Sequence, residues 1–92
     1  MKLNSSKAKV YNEIWVMPYS KKLRFLDVSN LLVALGCNRH SKGGANVVFE
    51  LNGKAWGMHP PHPQPYVKRP YVKDLRKFLI DSGIRDLVEE NQ

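Results

Sequence analysis

Cysteine is nearly missing: Cys37 stands alone among 92 residues, which excludes a disulfide framework and a thiolate metal cluster. At the end of an apolar run it reads as a small packed side chain rather than a nucleophile. No apolar run approaches the ~20 residues that cross a bilayer, and the residues after Lys2 hold no signal-peptide core. Acidic residues are scarce over most of the chain. Residues 1–70 hold eleven Lys and Arg against three Asp and Glu, whereas residues 71–92 hold four against five, for a formal charge of +7. These absences leave three expectations: a reducing cytoplasmic setting, no membrane, and a polyanionic partner, nucleic acid first and an acidic protein second. Hydrophobic and charged contents of 42% and 25% are those of a folded chain, and the length suits one domain with a modest core.

What is present is organised around a hairpin. Asn52-Gly53 separates Val47-Val48-Phe49-Glu50-Leu51 from Lys54-Ala55-Trp56-Gly57-Met58, and Asn-Gly suits the type I′ turn, which needs positive φ at both central residues. That turn sets Leu51 against Lys54, Phe49 against Trp56, Val47 against Met58 and Asn46 against His59. Alternation then puts Val47, Phe49, Leu51, Trp56 and Met58 on a buried face. Asn46, Val48, Glu50, Ala55, Gly57 and His59 share the open one.

Helices are expected on either side. The first runs about Lys7 to Met17, capped by Ser5 or Ser6, with Val10, Ile14 and Met17 inward and Pro18 as its stop. The second starts from Asp27 as N-cap and ends at Leu35, with a Leu26–Leu31 staple and Val28, Leu31, Leu32 and Leu35 inward. Polar Asn38 to Ser41 suits an edge strand. Pro70 opens a helix from about Tyr71 to Ser82 with Val72, Leu75, Phe78 and Leu79 inward, Gly83 as its stop and Ile84 as a clasp. Asp86 to Gln92 reads as an acidic tail, frayed or one short turn. The expected class is α+β, an α-β-β-β-α order like that of double-stranded-RNA-binding domains, with a three-stranded antiparallel sheet and two helices on one face. Residues 1–24 would be a helical extension, 25–85 the domain and 86–92 the tail.

Several motifs carry chemistry. Lys42-Gly43-Gly44 allows close backbone approach but lacks the spacing of a P-loop. His59-Pro60-Pro61-His62-Pro63 fixes two imidazoles on a rigid extended segment, yet no third ligand accompanies them, so no metal or other cofactor is expected. Lys21, Lys22 and Arg24 form a basic connector, either solvated linker or added phosphate contacts.

Taken together, Leu31-Leu32-Val33-Ala34-Leu35-Gly36, Lys42-Gly43-Gly44, Phe49-Glu50-Leu51-Asn52-Gly53-Lys54, His59-Pro60-Pro61-His62-Pro63 and Leu75-Arg76-Lys77-Phe78-Leu79 with Gly83-Ile84 resemble the HicA family of toxin-antitoxin ribonucleases. The likeness spans roughly Phe25 to Arg85. It implies a toxin domain that binds and cleaves messenger RNA and is silenced by a HicB antitoxin. The family's single catalytic histidine sits in a Gly-Ser-His or Gly-Gly-His segment at the start of the second strand, and here the segment is Gly43-Gly44-Ala45-Asn46. Strand alignment puts the catalytic position at Asn46, and alignment on the glycines puts it at Ala45. Asn46 has the parity of the open face. Neither residue can act as a general base, so histidine-dependent endoribonuclease activity should be crippled. The substitution is natural, or introduced, or compensated by His59 oriented by Asn46. Arg39, Lys42, Gly43, Gly44, Lys54, His62, Lys68 and Arg69 are the expected RNA contacts. The rival expectation is a basic protein-interaction module for an acidic partner, with no RNA role.

Overall fold

The turn at Asn52-Gly53 decides the register of everything around it. In the computed structural model, which describes residues 1–41, 43, 46–61 and 64–90, Asn52 and Gly53 take φ of 54° and 78°. Both values lie in the left-handed region that a type I′ turn requires. Val47–Leu51 (β2) and Lys54–Met58 (β3) pair antiparallel with Leu51 on Lys54, Phe49 on Trp56 and Val47 on Met58, as expected. Asn38–Ser41 (β1) pairs with the other side of β2, Ser41 opposite Val47 and Asn38 opposite Glu50. The sheet order is β1-β2-β3.

Four helices complete an α+β fold: α1 (Ser5–Ile14), α2 (Phe25–Ala34), α3 (Arg69–Asp81) and α4 (Ile84–Glu89). Their apolar stripes and the inner sheet face form one cluster in which Val28, Leu31, Leu32, Phe49, Trp56, Leu75 and Leu79 are all buried. The Phe49 ring lies 5.7 Å from that of Trp56 and 6.4 Å from that of Phe25. Leu51, expected inside, is only partly buried at the end of the strand. Cys37 is buried, and burial pushes its thiol up to about 11. It is therefore protonated near neutrality and unsuited to nucleophilic work.

Three helical expectations are corrected by tertiary contacts. Asn4, not Ser5 or Ser6, caps α1, its side-chain oxygen accepting from the Lys7 N–H at 2.9 Å. The helix ends at Ile14, so Met17 falls beyond it and is 78% exposed, and Tyr11 takes the inward place beside Ile14. Helix α2 begins two residues before Asp27, because Phe25 is buried and its N–H donates to the Pro65 carbonyl at 2.9 Å. Leu26 is consequently 62% exposed and staples nothing. The supposed tail is α4 over most of its length. Ile84 and Val88, four residues apart, both enter the core. Residues 1–24 enter the same core through Tyr11, Ile14 and Leu23.

A side-chain bond joins the two ends of the chain. The Tyr11 hydroxyl donates to Glu89 Oε2 at 2.6 Å, and burial, reinforced by Glu89, holds the phenol well above its ordinary range. A raised folded-state pKa contributes stability that is complete below the unfolded value of about 10 and is lost as pH rises beyond it. Tyr11→Phe is expected to cost about 1 kcal/mol near neutrality and to flatten the fall in urea midpoint between about pH 9 and pH 11. Parallel falls in both proteins would remove Tyr11 as the source of alkaline sensitivity.

Candidate functional site

Because Ser41, Val47 and Met58 share one register level, β1 ends, β2 begins and β3 ends at the same end of the sheet. Asn46, immediately before β2, is exposed there, its N–H donating to the Gly43 carbonyl at 3.4 Å. His59, immediately after β3, is exposed at the same end. It lines a cavity of about 260 Å³ with Gln64, Lys68 and Tyr71 among others. Lys68 is the N-cap residue of α3 and Arg69 its first residue, and the first turn of that helix contains no acid. Two cations and a histidine thus adjoin the positive end of a 13-residue helix, an electrostatic setting that favours anions. The Arg69 guanidinium lies 4.9 Å from the Tyr19 ring centroid. Stacking of that kind holds the cation while leaving its N–H groups for an acceptor.

The remaining expected residues scatter. Arg39 is exposed on β1, its guanidinium 6.0 Å from the Phe49 ring centroid, and its alternation is that of the inner face rather than the open one. Lys54 stands at the opposite end of β3, in a groove with Asp74, Lys77 and Asp81. Two carboxylates there lower the local positive potential, although Lys77 Nζ already pairs with Asp81 at 2.7 Å. That bond, largest of the causes, raises the Lys77 pKa. Lys42, Gly44, Ala45 and His62 lie outside the described residues. No hydrogen bond joins Asn46 to His59 among the described residues, so the expected orientation of His59 by Asn46 is not seen.

The open face holds a pair that sequence reasoning missed. His40 on β1 and Glu50 on β2 are in hydrogen-bond contact through Nε2 and Oε1. His40 is opposite Val48, which makes Glu50 its diagonal neighbour on one side, while Asn46 lies one residue before the strand begins. Gly57, opposite Val48 on the far side of β2, gives room to the Val48 side chain: a Cβ there would meet Val48 Cγ2 at 3.2 Å and the Val47 carbonyl at 3.3 Å. A histidine held by a carboxylate on an open surface is the usual arrangement of an oriented general base. The signal available beforehand was Glu50 on the open face of the hairpin. Its partner was hidden because Asn38-Arg39-His40-Ser41 has no apolar alternation to fix its register.

Among the described residues, no group of three or more His, Cys, Asp or Glu side chains is placed to hold a metal ion. No described helix is long and apolar enough to cross a membrane. No protein-family model, curated protein or solved structure matches the chain.

Proposed function

We propose that the chain is a HicA-like toxin domain of a toxin-antitoxin system, that it binds messenger or double-stranded RNA through the basic end of its sheet, and that a HicB-like antitoxin restrains it. The observation that carries this reading is that Lys68 and the α3 N-terminus meet His59 in one cavity at the end of the sheet where β2 begins, with Arg69 the next residue of the helix. The α2-β1-β2-β3-α3 order supports it, being the order of double-stranded-RNA-binding domains, which recognise backbone shape and phosphates rather than sequence. The formal charge of +7 favours the same ligand class. Asn46 or Ala45 stands where the family has its histidine, so the family's histidine-dependent cleavage is crippled and binding is the principal activity.

The test is equilibrium binding of a labelled RNA over a range of salt. Each phosphate contact contributes roughly 0.7 to 0.9 to the slope of log affinity against log salt. Lys68→Ala and Arg69→Ala are each expected to weaken binding and to reduce that slope by about one contact. Salt-insensitive binding, or none, would sink the RNA reading.

One observation favours a protein partner in an adjoining groove, which shares Pro60 and Pro61 with the His59 cavity. Leu26 is 62% exposed beside Arg24 and Arg39, and Pro60, Pro61 and Pro65 help line the same groove of about 250 Å³. An apolar residue between two cations suits an acidic protein segment carrying an apolar anchor, the chemistry expected of an antitoxin or of the rival interaction module. Leu26→Ala, which removes the apolar anchor without adding charge beside Arg24 and Arg39, should weaken such a complex and leave the salt dependence of RNA binding unchanged.

A further inference from the structure

We propose that His40, held by Glu50, is the general base of a residual ribonuclease site on the open sheet face, taking the role for which residues 45 and 46 lack an imidazole. The inference rests on the RNA-binding reading and adds a location and a mechanism for cleavage.

The geometry assigns the roles. With His40 Nε2–H donating to Glu50 Oε1, the lone pair of the neutral ring resides on Nδ1. Glu50 fixes the tautomer and stabilises the imidazolium that forms when Nδ1 takes a proton. It acts as a positioning residue. The two side chains remain 40% and 46% exposed, and the β3 residue opposite Glu50 is the small, exposed Ala55. A strand of RNA can therefore lie across the sheet with a ribose over His40. Asn46, exposed immediately before β2 at the same end of the sheet, carries an amide able to donate to a non-bridging phosphate oxygen. Lys68 and Arg69, at the same end of the sheet, meet the adjoining backbone.

The chemistry is an internal transfer. His40 Nδ1 takes the proton of a ribose 2′-hydroxyl, and the 2′ oxygen forms a bond to the neighbouring phosphorus. The bond from phosphorus to the 5′ oxygen breaks, and that oxygen takes a proton from water. The imidazolium then returns its proton to the hydroxide left behind. The products are a 2′,3′-cyclic phosphate and a 5′-hydroxyl end, with no metal or redox partner consumed.

As an ion pair this exposed adds little to stability, substitution at either residue should leave the protein folded, which circular dichroism checks. The experiment incubates the full chain with a labelled single-stranded RNA in chelator, measuring binding and cleavage separately and identifying the new ends by mass. The unaltered chain is expected to cleave slowly to cyclic-phosphate ends. His40→Ala and His40→Gln should each lower the rate by about 100-fold or more with RNA affinity retained, and Glu50→Gln should lower it less. A 2′-deoxyribose at the cleaved position should block the reaction. RNA bound but not cleaved by the unaltered chain would overturn the catalytic assignment and leave the binding reading intact. So would cleavage that survives in folded His40→Gln. Absence of RNA binding would overturn both.

Discussion

Asn46→His is expected to raise the rate of RNA cleavage by about 10² to 10⁴-fold, the range contributed by a positioned acid or base. The expectation follows from three placements. Residue 46 directly precedes β2 and is exposed, and the alternation of β2, if continued back by one residue, gives its side chain the face of Val48 and Glu50. The register sets His40 opposite Val48, and on that continued alternation the diagonal spacing of about 7–8 Å would bring an imidazole at position 46 near His40. Two imidazoles at that separation can flank one phosphodiester, one accepting the 2′ proton and the other supplying a proton to the 5′ oxygen. Asparagine does neither, because its amide does not titrate. Ala45→His is the matched variant, and it should gain nothing if the open-face parity of residue 46 governs. A gain in Ala45→His alone would place the missing group at residue 45 and refute the parity argument. No gain in either, with RNA still bound, would remove the HicA-like chemistry from this chain while leaving it an RNA-binding protein.

The hairpin was legible because its determinants are local: two residues able to take positive φ, flanked by alternating apolar side chains, settle a register of five pairs. The inward stripes of α2 and α3 were legible for a similar reason, since Val28, Leu31, Leu32 and Leu35, and Val72, Leu75, Phe78 and Leu79, each recur at helical spacing and are all buried. The errors arose where distant chain segments decide. Nothing near Phe25 announces that Pro65 will accept its N–H, and that bond starts α2 ahead of the better local cap at Asp27. The acids around α4 obscured Ile84 and Val88, whose spacing is helical but covers only two positions. At the site, Lys68, Arg69 and His59 could be named from sequence as basic or titratable groups near a rigid segment. That His59 and Lys68 line one cavity depends on how the chain returns from β3 to α3, which no local pattern announces. The His40–Glu50 contact spans 10 residues and two strands, one of them entirely polar, and so required the fold.

Arg76→Met is expected to destabilise the protein by about 3 kcal/mol, because one side chain fastens the segment after α1 to α3. Its Nε donates to the Ile14 carbonyl at 2.8 Å, and an Nη donates to the carbonyls of Val16 at 2.7 Å and Pro18 at 3.1 Å. The guanidinium also lies 4.5 Å from the Tyr19 ring centroid and 5.9 Å from that of Trp15. Trp15 meets Arg85 on α4 as well, at 4.5 Å, and Tyr19 meets Arg69 at 4.9 Å. Arginines of α3 and α4 thus alternate with the aromatic rings of residues 15 and 19. Hydrogen bonds from a charged donor contribute about 1.5–3 kcal/mol each and cation–π contacts about 0.5–2 kcal/mol. These do not add when one residue makes them all, so the expected loss is well below their sum. For a chain of this size the melting temperature should fall on the order of 15 °C. Methionine keeps much of the apolar stem and removes the donors, which isolates the polar contribution. Arg76→Lys should recover only a minor part, since an ammonium cannot present the planar fork that reaches three carbonyls or stack on a ring in the same way. Urea midpoints with an unchanged slope would report the loss as stability. Because Tyr19 also backs Arg69, the same substitution should weaken RNA binding modestly at a temperature where the variant is still folded. A midpoint within about 0.5 kcal/mol of the unaltered protein, the range of an ordinary surface substitution, would show that water replaces the arginine and that the N-terminal segment is held by its other contacts, Tyr11, Ile14 and Leu23 in the core among them.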